Sequence, residues 1–194
     1  MGRVIGHLRA REVRVSYRDK ESACQYNYWL QDWRANAGRP QFQVLLLLFR
    51  VAQDLRRKQY FAAPLASFVY RAYALAVCSV DLPTSTEVGS GLAIHHGFGL
   101  TVNAKTVLGR DVVLRQGVTL GSTWPSGGAP HVGDGVSFGP QSVALGDIKI
   151  GSAVIIGAGA VVVKSIPAGR TVVGNPAKQL GERDSPEPGG VPCE

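Results

Sequence analysis

The chain has 194 residues, of which 45% are hydrophobic and 18% are charged. This composition excludes intrinsic disorder as the main state and allows one domain, or a repeat domain with a small cap. Glycine occurs 24 times, well above its usual share of roughly 7%, so the chain needs many tight turns.

The formal net charge of +7 is concentrated in the first part of the chain. Residues 1–80 contain 13 Lys and Arg against 5 Asp and Glu, whereas residues 81–194 contain 8 against 9. A basic surface can bind nucleic acid, anionic lipid or a polyanionic glycan. We expect no nucleic-acid partner, because neither a zinc-finger pattern nor an RNP-like aromatic segment accompanies the charge.

Three scattered cysteines, Cys24, Cys78 and Cys193, have neither metal-ligand spacing nor the pattern of a disulfide framework. The first residues lack the apolar core of a secretory signal. We therefore expect a cytoplasmic protein with reduced thiols and no bound metal.

The segment 1–80 predicts an N-terminal helical cap. Apolar and aromatic side chains at helical spacing indicate helices over residues 26–37, 41–58 and 64–80. The third is long enough to be considered as a membrane span, but a charge such as that of Arg71 costs at least ~2.5 kcal/mol at the bilayer centre. We therefore expect a packed helix, and peripheral contact between the basic cap and an anionic inner membrane stays open.

From residue 81 onward, apolar residues recur every six positions. A period of six fits neither a helix nor a simple strand, but it fits a short strand followed by a corner. Three such units close a triangular coil, so residues 81–180 predict a mainly β domain, a parallel β-helix of about five coils. The thirteen inward positions, in which Thr106 and Ala144 are the only ones without a large apolar side chain, are Leu82, Val88, Ile94, Leu100, Thr106, Val112, Val118, Val132, Phe138, Ala144, Ile150, Ile156 and Val162.

Two segments fall outside this repeat. The spacing from Val118 to Val132 is too long for one unit, so a loop around the sequence TWPSGGAP is predicted to project from one corner. Loops on rigid scaffolds often carry recognition. Residues 181–194 are polar and rich in Pro and Gly, which is typical of a disordered tail.

Five segments of the repeat region have distinctive sequences: VDLPTSTEVGSGLAIHHGFG (80–99), VLGRDVVLRQGVTLGST (107–123), HVGDGVSFG (131–139), IIGAGAVVVKSIP (155–167) and VVGNPAKQL (172–180). They resemble the hexapeptide-repeat acyltransferases, within them the serine acetyltransferase group, and most of all the branch typified by colanic acid acetyltransferase. This resemblance implies a left-handed β-helix, a homotrimer, and acetyl-CoA bound in grooves between neighbouring β-helices.

Acetyl transfer to a hydroxyl, the reaction implied by this resemblance, needs a general base. An imidazole, which titrates near ~6.5, suits this role, and His95 and His96 lie at a predicted corner with Gly97 and Gly99. The family motif implies that the second histidine, His96, is the base. Asp81 matches the family's acidic partner, which would orient the imidazole. Because Asp81 precedes His96 by close to one nominal coil, we expect it almost beneath His96; a helix-capping role for Asp81 is the alternative.

The resemblance also implies which residues bind acetyl-CoA. Small residues of the repeats match those beside the pantetheine arm, and the terminal NPAK element matches the nucleotide end, where Lys178 could meet a phosphate. Backbone N–H groups near residues 121–123 could meet the thioester oxyanion. The expected set is Gly121, Ser122, Thr123, Gly139, Ala158, Asn175, Pro176 and Lys178.

Two departures from the serine enzymes concern the acceptor. Those enzymes have an Asp at the position of His95 and an Arg-His pair where this chain has residues 127–130, GGAP. Without them the site lacks partners for a zwitterion, and an unpaired buried charge is costly. We therefore expect the acceptor to be a neutral hydroxyl of a saccharide in an exopolysaccharide or related glycan, contacted by His95, His131 and Trp124. L-serine is the close runner-up, and Trp124 packing on a neighbouring subunit is the alternative for that residue.

Three further expectations concern partners and other functions. The C-terminal residues VPCE lack the isoleucine by which serine acetyltransferases dock into cysteine synthase, so we do not expect that partner. Some β-helix trimers are zinc-dependent carbonic anhydrases; His95 and His131 are separated by two nominal coils, but the inserted loop breaks this register and the expected third ligand is Val136. A non-catalytic scaffold is the other alternative, against which the presence of Asp81 and His96 argues.

Overall fold

A short helical cap precedes the repeats in the computed structural model, which describes residues 28–123, 125 and 127–180. The predicted tail, the segment 1–27 and Trp124 lie outside these described residues. The cap consists of two 3₁₀ helices, Tyr28–Leu30 and Arg34–Asn36, and two α-helices, α1 (Pro40–Arg57) and α2 (Ala63–Ala76). Both bounds of α1 lie one position before the predicted ones, so this helix is confirmed. Helix α2 ends before its predicted end because the chain enters the first strand at Val80.

Short strands then follow one another around the coils and form three parallel sheets, which are the faces of a β-helix of about five coils. Sheet 1 contains β1 (Val80–Asp81), β4 (Leu100–Val102), β7 (Thr119–Gly121), β10 (Val143–Leu145) and β13 (Val161–Val162). Sheet 2 contains β2 (Glu87–Val88), β5 (Val107–Leu108), β8 (His131–Val132) and β11 (Lys149–Ile150). Sheet 3 contains β3 (Ala93–His95), β6 (Val113–Arg115), β9 (Ser137–Phe138), β12 (Ile155–Ile156), β14 (Thr171–Val173) and, antiparallel at its end, β15 (Lys178–Gln179).

The apolar core fills the interior of the coils, as the six-residue period predicts. Twelve of the thirteen predicted inward positions are buried, Thr106 and Ala144 among them, and Val88 is partly buried against the same core. Each buried aliphatic side chain of this kind contributes about 1.5–3 kcal/mol. The parallel β-helix of about five coils and its N-terminal helical cap are therefore confirmed.

The glycine that follows several inward positions is required by the closeness of the next coil. A Cβ on Gly139 would lie 2.5 Å from the backbone N of Ala158, and one on Gly133 would lie 2.7 Å from the backbone N of Ser152. Neither glycine has a positive φ. Steric exclusion, rather than a left-handed backbone, therefore explains glycine at these two places.

The first coil is longer than those at the other end of the β-helix. Val80 pairs with Leu100, which is a longer step along the chain than the step from Val143 to its partner Val161. The additional residues lie at the corner between β3 and β4, where Gly97 is buried. The chain therefore bulges at this corner.

Four buried polar side chains of the cap close the open edge of the first coil. Asp32 and Arg50 form an ion pair at 2.8 Å, and their side chains are 2% and 1% exposed. Arg50, Asn36 and Gln53 donate to backbone carbonyls of the coil, and Asp32 and Asn36 accept from its backbone N–H groups. A buried backbone N–H or C=O group without a partner costs free energy. These side chains supply the hydrogen bonds that a preceding strand would otherwise make. The backbone groups bonded in this way belong to Thr84, Thr86, Val88, Gly89, Leu92 and Ile94.

This network explains why the helix predicted over residues 26–37 is wrong. In its described part the chain forms two 3₁₀ helices instead of one α-helix. Asp32 and Asn36 turn inward to bond Leu92 and Ile94, and the predicted apolar face leaves Trp29 and Trp33 exposed. Polar contacts with the β-helix thus override helical periodicity here.

Candidate active site

The corner between β3 and β4 presents the candidate general base. His96 begins this corner with a φ of 57°, and its carbonyl accepts a hydrogen bond from the N–H of Phe98. Gly97 faces inward, where a Cβ would lie 2.8 Å from Ile94 and 3.0 Å from Phe42 and Val80. Because Gly97 occupies the inner side of the bulge, His96 is exposed and accessible to a substrate.

Asp81, the predicted partner of His96, is bonded to a residue that the sequence did not indicate. Its carboxylate accepts from Arg71 of α2 at 3.2 Å, and the two side chains are 41% and 57% exposed. On the next coil Thr101, rather than His96, is in register with Asp81, and His96 precedes that strand at the bulged corner. Within the described part of the chain, no hydrogen bond joins Asp81 to His96. Both still lie at the edge between sheets 3 and 1, and the catalytic pair stays a prediction.

His95 lies among basic groups on the outer side of sheet 3. It pairs in register with Arg115 on the next coil, and Arg39 donates to the neighbouring carbonyl of Ile94 at 3.4 Å. Burial, and then the charges of Arg39, Arg115 and His96, lower the pKa of the His95 imidazole. The neutral form of His95 is therefore favoured at neutral pH.

Most of the expected acetyl-CoA residues lie along the same edge as His96. Gly139 follows β9, Ala158 follows β12 and Asn175 follows β14, so each occupies the corner that leads from sheet 3 toward sheet 1. The corners are stacked: Gly139 donates to the carbonyl of Ile156, and Val161 to that of Gly174. Pro176 and Lys178 continue this edge at its far end.

The other expected residues lie on a different edge, between sheets 1 and 2. Gly121 ends β7, and Ser122 and Thr123 begin the projecting loop; Ser122 Oγ accepts from Asn103 Nδ2 at 3.3 Å. His131 begins β8 and is exposed. Leu120 pairs with Val102 at the end of β4, so residues 121–123 lie at the end of sheet 1 away from the corner of His96.

The zinc alternative finds no support in the positions of its histidines. His95 lies on sheet 3 and His131 on sheet 2. Over residues 28–123, 125 and 127–180, no group of three His, Cys, Asp or Glu side chains could hold a metal ion.

Comparison with known proteins identifies the family. The family described as bacterial transferase hexapeptide (six repeats) matches residues 129–164. WcaB of Escherichia coli K12, named for acetyl transfer in colanic acid biosynthesis, is 35% identical over 157 residues, which are 77% of this chain and 96% of that protein. The chain belongs to the hexapeptide-repeat acetyltransferases of the serine acetyltransferase family. Within this family, the apoenzyme of soybean serine acetyltransferase superposes with a TM-score of 0.69 at 33% identity, over 79% of this chain and 67% of that one.

Other members of the family are longer than this chain. Serine acetyltransferase 4 of Arabidopsis thaliana is 33% identical over 147 residues, and the chain spans about two fifths of its length, 41%. A serine acetyltransferase solved in complex with CoA superposes with a TM-score of 0.63 at 28% identity, over 72% of this chain and 57% of that one. The chain is thus a serine acetyltransferase-like acetyltransferase of a family with a known CoA complex.

Three arginines beside the candidate site were not predicted from the sequence. Arg39 and Arg71 belong to the cap, and only the packing of the cap under the first coil brings them to this edge. Arg115 lies within the motif RQGVTLG, and the register of β6 on β3 would have revealed its position beside His95.

Proposed function

We propose that the chain transfers an acetyl group from acetyl-CoA to a hydroxyl of a saccharide in an exopolysaccharide or related glycan. The observation that carries this proposal is the exposed His96 at the bulged corner, next to a histidine in a basic setting. Arg39 and Arg115 can attract the carboxylate of zwitterionic L-serine but repel its ammonium group, whereas a saccharide hydroxyl carries no charge to be repelled. The similarity to WcaB over nearly the whole length of that protein supports the same choice.

The chemistry assigned to His96 is general-base catalysis of direct transfer. His96 removes the proton of the acceptor hydroxyl as its oxygen attacks the thioester carbonyl carbon. The C–S bond breaks as the tetrahedral arrangement collapses, and His96 returns the proton to the departing sulfur. The products are the O-acetyl ester and free CoA. Asp81 would fix the imidazole orientation once its carboxylate turns from Arg71 toward His96.

The residues along the His96 edge fit the donor acetyl-CoA. Ala158 presents only a small side chain at its exposed corner, so that a flexible arm can pass along the β-helix toward His96, and Gly139 leaves room for the backbone of Ala158 on the next coil. Lys178 at the far end carries a positive charge suited to a phosphate. CoA would supply the activated acetyl thioester, and these residues would hold it.

The division of the expected site between two edges supports a homotrimer. Residues 121–123 and the loop after them can meet His96 only if a second chain presents its own edge to the first. Cyclic assembly of three chains would do this three times, and each active site would then contain residues from two subunits.

The acceptor class is tested by acetyl transfer with purified protein. The protein, acetyl-CoA and a thiol-reactive dye are combined with deacetylated exopolysaccharide oligosaccharides or with L-serine, and O-acetyl product is identified by mass spectrometry. We expect CoA release that depends on the saccharide. Vigorous release with L-serine and none with saccharides would replace the proposal with serine acetylation.

The Ala158→Leu variant tests the path of the acetyl-CoA arm. Ala158 is exposed at its corner, so a larger side chain there costs little stability but narrows the path of the acetyl-CoA arm along the β-helix. We expect the KM for acetyl-CoA to rise at least about tenfold, because the larger side chain removes favourable contacts between the arm and this corner. Steady-state kinetics check this, with Ala168→Leu, at a corner between sheets 2 and 3, as the matched control. Equal KM values in both variants would place the arm elsewhere.

A separate proposal concerns where the enzyme works: we infer that helix α2 rests on an anionic membrane surface at the cytoplasmic face. No helix among the described residues is both long and apolar enough to cross a bilayer. The outer side of α2 and the turn before it is apolar, with Phe61 98%, Phe68 71% and Leu65 67% exposed. Three consecutive basic residues, 56–58, lie directly before it. An apolar face flanked by positive charge is typical of interfacial helices.

The double variant Phe61→Ser/Phe68→Ser tests this contact. Burial of each phenylalanine at the interface contributes, so we expect binding to vesicles rich in anionic lipid to fall at least about tenfold. Co-sedimentation measures it, and Val163→Ser, at an exposed apolar position of the β-helix, is the control. If the double variant changes the oligomeric state in light scattering but not vesicle binding, a second copy covers the helix and the membrane proposal is wrong.

A further inference from the structure

Basic side chains from three levels of the molecule meet at His95. Arg39 is the residue directly before α1. Its guanidinium donates to the carbonyls of Ala35 at 2.7 Å and Ile94 at 3.4 Å. Arg115 lies in register on the next coil, and its Nη1 donates to the Oγ of Ser137 and the carbonyl of Phe138, both at 3.1 Å. We call Arg39, His95 and Arg115 the basic cluster. Its two guanidiniums are held in place by the fold.

No described carboxylate neutralises the basic cluster. Neither Arg39 nor Arg115 forms an ion pair with an acidic side chain of the described residues. The charges that act on the imidazole of His95 are all positive. The two guanidiniums beside the neutral imidazole carry like charges, so a bound anion would relieve their mutual repulsion.

The cluster retains donors for such an anion. Arg115 is half-buried, and only its Nη1 has a hydrogen-bond partner among the described residues, which leaves Nε and Nη2. A guanidinium presents its N–H groups in a fork that matches an oxyanion. His95 also directly precedes His96, and neighbouring Cα atoms are about 3.8 Å apart. A group held by the cluster therefore lies beside the residue that carries the general base.

We propose that the basic cluster binds an oxyanion carried by the acceptor saccharide, either the carboxylate of an acidic sugar or the phosphate of a sugar phosphate. This inference rests on the proposed glycan acetylation and narrows its substrate class. An acidic residue at position 95 would favour a cationic group on the acceptor, whereas the basic cluster favours an anionic one. The hydroxyl to be acetylated is then selected by its distance from the anionic group.

The Arg115→Gln variant tests the cluster with three acceptors of matched size: a neutral oligosaccharide, its uronic acid counterpart and a sugar phosphate. We expect the wild-type enzyme to prefer an anionic acceptor by at least about tenfold in kcat/KM, because charge-assisted hydrogen bonds are strong. We expect the variant to raise the KM for that acceptor by a similar factor and to remove most of the preference over the neutral acceptor, with no matching rise in the KM for acetyl-CoA. Whichever anionic acceptor responds identifies the oxyanion. Arg110→Gln, at an exposed arginine of another corner, is the control.

The possible failures are distinguishable. Equal kcat/KM for neutral and anionic acceptors, with no effect of Arg115→Gln, overturns the anion site and leaves glycan acetylation intact. A rise in the KM for acetyl-CoA instead assigns the cluster to the phosphates of CoA and overturns it as an acceptor site. Absence of transfer to every saccharide overturns both the proposed function and this inference.

Discussion

We expect the His96→Asn variant to lose about 10²–10⁴-fold in kcat, the usual contribution of a positioned general base. Asparagine tolerates the left-handed backbone that His96 adopts, with its φ of 57°, so the corner keeps its shape. The variant removes the proton acceptor and leaves the column of small residues for acetyl-CoA untouched. The KM for acetyl-CoA therefore stays near the wild-type value while kcat falls.

Steady-state kinetics and thermal unfolding together check this result. An unchanged Tm shows that the loss is chemical, because His96 is exposed and contributes little to packing. Undiminished acetyl transfer by a folded His96→Asn protein would contradict the assignment of His96 as the general base. The companion variant Asp81→Asn separates orientation from base chemistry: it lowers kcat less than His96→Asn does if Asp81 only positions the imidazole.

The second large effect concerns stability. We expect Arg50→Met to lower the free energy of unfolding by about 3–5 kcal/mol, the usual cost of removing one partner from a buried ion pair. The change leaves Asp32 buried without its counter-ion and the carbonyls of Val88 and Gly89 without donors. Because these carbonyls form the open edge of the first coil, the cap should detach at a lower denaturant concentration.

Urea unfolding followed by circular dichroism measures this change. Lys58→Met is the matched control, since it removes one partner of an exposed ion pair with Asp54 at the end of the same helix. Surface pairs contribute little, so we expect this control to unfold as the wild type does. Equal midpoints for both variants would show that the Asp32–Arg50 pair does not secure the cap.

The β-helix could be predicted from the sequence because its cause is local and repeated. Each coil needs an inward side chain every six residues, and the series from Leu82 to Val162 meets this need with few exceptions. The buried Thr106 shows that the period, rather than the polarity of one residue, decides the position. Helix α1 was predictable for the same reason, since its apolar stripe faces the core.

The contacts of the cap and the site depend on distant partners and could not be predicted in the same way. From the sequence, Asp32 and Asn36 are ordinary polar residues of a predicted helix. They bond the first coil only because its edge has backbone groups without a strand partner. The ion pair of Arg71 with Asp81 arises from the packing of α2 on β1. The bulge at Gly97 lengthens one coil, so that Asp81 pairs with Thr101, and the six-residue repeat alone does not predict this register. Nothing in the local pattern encodes these relationships.

The most direct test of a shared active site is activity in hybrid oligomers. His96→Asn and Ser122→Trp chains with different tags are co-expressed, and assemblies that carry both tags are isolated. The two lesions lie on different edges of the β-helix, so every hybrid trimer contains one of three sites with neither lesion, and about one third of the wild-type acetyl transfer returns. Hybrids of His96→Asn with Ala158→Leu, whose lesions share an edge, contain no site without a lesion and keep less than about a tenth of the wild-type rate at limiting acetyl-CoA. Recovery in neither hybrid would contradict an active site built from His96 of one chain and the loop of its neighbour.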